Sequence, residues 1–159
     1  MTETLASWHP FLVHFAVAFS LGSAACDILD FFLHRRRLEE TGFALMMAAL
    51  PFLILAVITG NLAEGLMYSA ATALHIENHV AYANIGMWVF CGAAIWRLFL
   101  HLKKLYAGRV KILYVFVITA AAASLYLAAM HGGRIRHDGF PPRESGQQLM
   151  APSADSTRL

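Results

Sequence analysis

Charged side chains are scarce in this chain: they make up 14% of its 159 residues, against about 25% in an ordinary soluble domain. Hydrophobic residues make up 58%, and the mean hydropathy is +0.57. That balance excludes a freely soluble enzyme. Cysteine is nearly absent as well. Cys26 and Cys91 lie in different apolar stretches with no C-x-x-C spacing, which excludes a disulfide framework and a zinc or iron–sulfur motif. There is no C-x-x-C-H motif, so any haem is bound non-covalently. Positive charge is missing from Met1 to His9, where Glu3 is the charged residue. A cleavable signal starts with a basic segment, so the first apolar run reads as a retained span. A formal net charge of +2 is too small to indicate a nucleic-acid partner.

What the chain has instead is four apolar runs, each near the ~20 residues that a helix needs to cross the hydrocarbon core. They predict spans over residues 10–33, 43–63, 79–101 and 111–131. The fold class is therefore all-α: a four-helix transmembrane bundle over 10–131, built of antiparallel hairpins because the linkers after the first and third spans are short. Residues 1–9 form an external N-terminal segment. After Gly132 and Gly133 the composition turns to Arg, Pro, Ser and Gln, so 132–159 reads as an external, mobile tail. No internal repeat is evident.

Orientation follows from the cations. Arg35, Arg36, Arg37, Arg97, Lys103, Lys104, Arg109 and Lys111 gather at one side, against Arg134, Arg136, Arg143 and Arg158 at the other. The positive-inside rule makes the first group cytoplasmic. Both termini then lie on the external, periplasmic side of the cell inner membrane. Small residues recur within the spans, where they let helix backbones approach closely in lipid. Asp27 and Asp30 sit a turn or two inside the first span and Arg97 at a similar depth in the third. Charges there are costly without a partner, so a structural ion pair of Asp27 or Asp30 with Arg97 is expected.

The histidines carry the chemistry. Of eight, six fall at the external boundary: His9, His14, His75, His79, His131 and His137. His9 reads as a helix N-cap with Pro10 at the first helical position. His14 is embedded in the first span, where ionisable side chains usually face the bundle interior. His79 opens the third span, with Gly86 seven residues on along the same face, leaving room for a flat, bulky group. His131 ends the fourth span. Imidazole is a common axial donor to haem iron, and bundles hold cofactors between facing helices. His14 and His79 are the preferred axial ligands, with His131 as the substitute. The same donors suit copper, zinc or non-haem iron, for which His75 and Glu64 are further candidates.

The opening His9-Pro10-Phe11-Leu12-Val13-His14-Phe15, followed by Asp27, resembles the start of the domain-of-unknown-function 2231 family of predicted four-helix membrane proteins. Thr59-Gly60, His79, Arg97, His131-Gly132-Gly133 and His137-Asp138-Gly139 follow that family's pattern in order. The resemblance runs over residues 8 to 140. Two departures stand out: Ala16 where the family often has Pro, and His131 directly before the glycines where an H-x-G-G order is common. The resemblance implies a membrane module found beside redox domains such as c-type cytochromes and Rieske proteins, and it names no substrate.

The reading is a membrane-bound electron-transfer protein that holds a b-type haem near the external face and links the quinone pool to a periplasmic redox partner. By itself it is not an enzyme, since it is reduced and reoxidised without turnover. Its partners are the lipid bilayer and a larger redox complex or c-type cytochrome. The alternatives are a non-catalytic accessory subunit of a respiratory or photosynthetic complex, or a non-haem metal site on His14, His79, His131 and Glu64. Ion transport ranks lowest, because the second span is uncharged and the fourth is uncharged from Ile112 to Met130.

Overall fold

The computed structural model describes residues 7–67 and 73–139, with side chains described at 7–62 and 74–135. Four helices follow in chain order: α1 (His9–Leu33), α2 (Arg36–Met67), α3 (Ala73–Lys103) and α4 (Gly108–Gly139). Each is long and apolar enough to cross a membrane. At 1.5 Å per residue the 25 residues of α1 extend ~37 Å, more than the ~30 Å hydrocarbon core.

The helices overrun the apolar runs that announce them. α2 begins at Arg36 rather than 43, α3 at Ala73 rather than 79, and α4 continues through Gly132 and Gly133 to Gly139. Hydropathy registers only the lipid-crossing part of a helix, and these polar turns continue it beyond that part. The expected start of a tail at 132 is thereby corrected. The α1–α2 turn is only His34 and Arg35. His34 adopts the left-handed conformation (φ 50, ψ 44) and its N–H bonds the Asp30 carbonyl at 2.8 Å, which satisfies a carbonyl at the helix end.

The side-chain distribution is inverted relative to a soluble bundle. Large apolar residues such as Phe116, Ile95 and Trp88 are more than 70% exposed, whereas Ser20, Ser23, Asp27, Asp30, Thr59 and Arg97 are buried. Between the helices lie small residues, among them Ala16, Ala24, Ala49, Ala93, Ala94, Ala121 and Ala122. An outer surface of this kind is solvated by lipid, and a small-residue seam is how helices associate there. Buried hydroxyls are satisfied locally or across a seam: Ser20 donates to the Ala16 carbonyl at 2.7 Å, and Ser23 to the Gly42 carbonyl at 2.9 Å.

α1 packs closely on α2, and α3 on α4; α1 also packs on α4, and α2 more lightly on α3. The two pairs repeat one another. At the offset of 70 that separates Asp27 from Arg97, buried Ala16, Ser20, Ser23, Ala24 and Asp30 correspond to buried Gly86, Phe90, Ala93, Ala94 and Leu100. His34 corresponds to Lys104, and both have positive φ. Between α2 and α4 the offset is 72, and buried Gly42, Met46, Ala49, Leu53 and Ala56 correspond to buried Tyr114, Ile118, Ala121, Leu125 and Ala128. The turn 104–107 is two residues longer than 34–35, which accounts for the change of offset. Equivalent positions His9 and His79 meet each other, as do Asp27 and Arg97, the self-pairing that an approximate twofold relation produces on its axis. A repeat of buried positions thus underlies a sequence in which no repeat of residue identity is evident. The relation is approximate, since α1–α4 packing is closer than α2–α3 packing.

Candidate functional site

One end of the bundle is built on two imidazoles. His9 is the first residue of α1, after Trp8 as the cap residue with no side-chain cap bond, so the expected N-cap role of His9 is corrected. Its ring turns toward α2. Nδ1 lies 2.9 Å from the Ala56 carbonyl and 3.2 Å from Thr59 Oγ1. The ring rests on Gly60, where an added Cβ would come within 2.9 Å of His9 Cε1. The second half repeats this. His79 Nδ1 lies 2.7 Å from the Ala128 carbonyl, and its ring rests on Gly132, where a Cβ would come within 3.2 Å of His79 Cε1. In each half the accepting carbonyl precedes the glycine by one helical turn. At Gly60 an imidazole occupies the space a side chain would fill, and at Gly132 it lies close enough that a side chain would press on it.

A carbonyl can only accept, so Nδ1 of each neutral ring carries the proton and Nε2 keeps its lone pair. The two rings meet edge-on, with centroids 6.1 Å apart and planes at 87°. Carbonyl-anchored imidazoles with the other nitrogen available are the usual form of metal-ligating histidine.

His14 is placed differently. It is exposed on the outside of the bundle, and its Nδ1 bonds the Pro10 carbonyl of its own helix. The expectation that its depth turns it inward is corrected: His14 and His9 are five residues apart, ~140° around a helix of 3.6 residues per turn, and His9 takes the inner side. Gly86 is corrected too. A Cβ there would lie 2.8 Å from Leu125 Cδ2 and 3.1 Å from the Leu125 backbone nitrogen, so the space beside it is a close α3–α4 contact with no room for a flat ligand.

His131 joins His75 rather than His79. Their Nδ1 atoms are 3.4 Å apart, and the Tyr82 ring stacks on His131 with centroids 5.7 Å apart at 16°. Among the described residues no group of three or more His, Cys, Asp or Glu side chains is placed to hold a metal ion. The side chains of Glu64 and His137, the linker residues 68–72, and residues 140–159 lie outside the described residues.

At the opposite end, Arg97 and Asp27 are each 1% exposed and their Nη2 and Oδ1 atoms are 3.2 Å apart. The Tyr106 hydroxyl donates to the same Asp27 oxygen at 3.3 Å. The Tyr106 ring also lies beneath the guanidinium, 3.1 Å from Cζ to the centroid, with Tyr114 at 5.0 Å. Asp30 does not share Arg97; it forms an ion pair with Lys111. Tyr106 and Tyr114 are not legible as members of this cluster in the sequence, since an aromatic residue near a span end also serves as an interfacial anchor. Cys26 and Cys91 are free.

These two ends differ in chemistry. The Asp27–Arg97 end satisfies charge internally, while the His9–His79 end leaves two lone pairs for a ligand. A family model described as predicted membrane protein (DUF2231) matches residues 6–138. No curated protein and no solved structure matches the chain.

Proposed function

The chain belongs to the DUF2231 family of predicted membrane proteins, and on that premise we propose that it is a membrane-bound electron-transfer protein holding a b-type haem non-covalently between His9 and His79. The observation that carries this reading is the pair of carbonyl-anchored imidazoles that meet on the approximate twofold axis. An imidazole nitrogen about 2 Å from a metal puts its ring centroid roughly 3 Å away, so two opposed imidazoles on one ion have centroids about 6 Å apart. The observed 6.1 Å fits that spacing. Two equivalent donors suit an ion whose remaining positions are filled by a planar macrocycle.

Haem supplies one-electron chemistry, and the protein supplies binding, orientation and electrostatics. Ala56 and Ala128 hold the two rings in the tautomer that presents Nε2, and accepting the Nδ1–H makes each imidazole a stronger donor. The Thr59 hydroxyl gives its proton to the Leu55 carbonyl at 2.8 Å, so its oxygen is available to the His9 N–H. Gly60 and Gly132 bring the rings close to the helix backbones.

The bundle runs antiparallel in an inner membrane, with both termini and the histidine end external. Support comes from the cations: Arg35, Arg36, Arg37, Lys103, Lys104, Arg109 and Lys111 all lie at the Asp27–Arg97 end, and cytoplasmic loops carry the excess of Lys and Arg. Haem at the external face would exchange electrons between the quinone pool and a periplasmic partner such as a c-type cytochrome.

Dithionite-reduced minus oxidised spectra of the purified protein test the reading. A sharp α band and Soret shift are expected in wild type and in His14→Ala, and are lost in His9→Ala and His79→Ala. A preparation supplied with haem during expression that contains none overturns the proposal.

A further inference from the structure

We propose that His75 and His131 form a second site, which binds a divalent transition-metal cation of the copper or zinc class at the rim of the histidine end, separate from the His9–His79 pair. The two Nδ1 atoms face each other at 3.4 Å. That lies at the long end of the hydrogen-bond range. Two metal–nitrogen bonds of about 2.0–2.1 Å meeting at a tetrahedral angle put their nitrogens roughly 3.3–3.4 Å apart. The observed separation therefore matches two vertices of a metal site.

The pair is held for that role. His75 stands one helical turn before His79 on α3, and His131 directly precedes Gly132, on which His79 rests. Tyr82, on the next turn of α3, stacks on the His131 ring and sets its plane. Both imidazoles are half-buried, so a hydrated cation reaches them from the bundle end. The cavity beside Phe31, His34, Tyr106 and Lys111 has its lysine already paired with Asp30.

The described residues supply no third donor, so water or an incoming donor group fills the remaining positions. Such a site binds and releases its ion rather than locking it in the fold. Among first-row divalent ions, imidazole donors favour Cu2+ over Zn2+.

The test is a CuSO4 titration of tag-free, full-length protein in detergent, followed by calorimetry and electron paramagnetic resonance. Expected is one saturable equivalent whose spectrum shows coupling to two imidazole nitrogens, with loss of that equivalent in His75→Ala and in His131→Ala. His14→Ala keeps it, and so does His9→Ala, which separates this site from the haem pair. ZnCl2 competes for the same equivalent. Thermal melting of each variant checks folding, and Tyr82→Leu, which leaves both donors in place, is expected to weaken copper binding severalfold. The proposal is overturned if wild type shows no saturable equivalent, or if the His75→Ala/His131→Ala double variant binds copper as wild type does, the result of a pair joined only by an N–H···N bond.

Discussion

Asp27 and Arg97 hold equivalent places in the two halves of the bundle, 70 residues apart, and meet across its axis at 3.2 Å with both side chains 1% exposed. Two identical residues at such a position would put like charges, or like apolar groups, face to face. Opposite charges turn the position into a clasp. The clasp is not fully saturated: Asp27 Oδ2 and Arg97 Nη1 are buried without a hydrogen-bond partner among the described residues, so its attraction rests on one ion-pair contact, the Tyr106 hydroxyl, the Glu39 carbonyl that accepts from Arg97 at 3.4 Å and the aromatic rings around the guanidinium.

Removing one member of the clasp leaves an uncompensated buried charge, which costs about 3–5 kcal/mol. Arg97→Leu is therefore expected to melt well below wild type in a detergent thermal scan. The double variant Asp27→Leu/Arg97→Leu leaves no stranded charge and should recover most of the loss. Equal melting of the single variant and wild type would remove the clasp from the account of stability.

The glycine shelves predict a graded effect on the imidazoles. A Cβ at Gly60 would come within 2.9 Å of the His9 ring, and one at Gly132 within 3.2 Å of the His79 ring. Gly60→Ala must displace its histidine, whereas Gly132→Ala asks for a shift of a few tenths of an ångström. Haem content per protein is expected to fall strongly in the first variant and modestly in the second. The reverse order would show that the rings do not rest on these residues when haem is bound.

Gly86 is expected to affect packing alone. A methyl group there meets Leu125 at 2.8 Å, and overpacking of this kind costs about 1–3 kcal/mol. Gly86→Ala should lower the melting temperature while leaving the reduced-minus-oxidised spectrum unchanged in shape. A spectral change without a stability change would return Gly86 to the ligand site.

Orientation is tested by reporter fusions. Alkaline phosphatase, which is active only outside the cytoplasm, is expected to be active when fused after Leu159 and inactive when fused after Lys104. The opposite pair of results would invert the bundle and put the histidine end in the cytoplasm.

Much of this architecture is legible in the amino-acid sequence. Four apolar runs separated by short polar stretches admit little besides four membrane-crossing helices, because backbone polar groups in lipid must be satisfied within each segment. Charge inside a span demands a partner, so Asp27 and Arg97 point to each other by depth and sign alone. The helix limits are less legible, since α2 and α4 continue into polar sequence that hydropathy does not register. The twofold relation is hidden for a related reason: a buried position in lipid asks for a small or space-filling side chain, so Ser20 and Phe90, or Gly42 and Tyr114, serve equivalent places without resembling each other.

By itself the sequence determined the membrane, the number of helices and the end at which the histidines gather, because those depend on composition along the chain. Which histidines face inward was decided only by the tertiary structure. His9 and His14 are five residues apart along α1 and ~140° apart around it, and depth carries no information about direction. The absence of a side chain at Gly60 opens space for His9, the Ala56 carbonyl holds it there, and the equivalent pair Gly132 and Ala128 does the same for His79. The pair exists because α2 and α4, each packed on the helix that carries one of the two histidines, both leave a gap of one side chain beside it, a coincidence that only the packed bundle brings about.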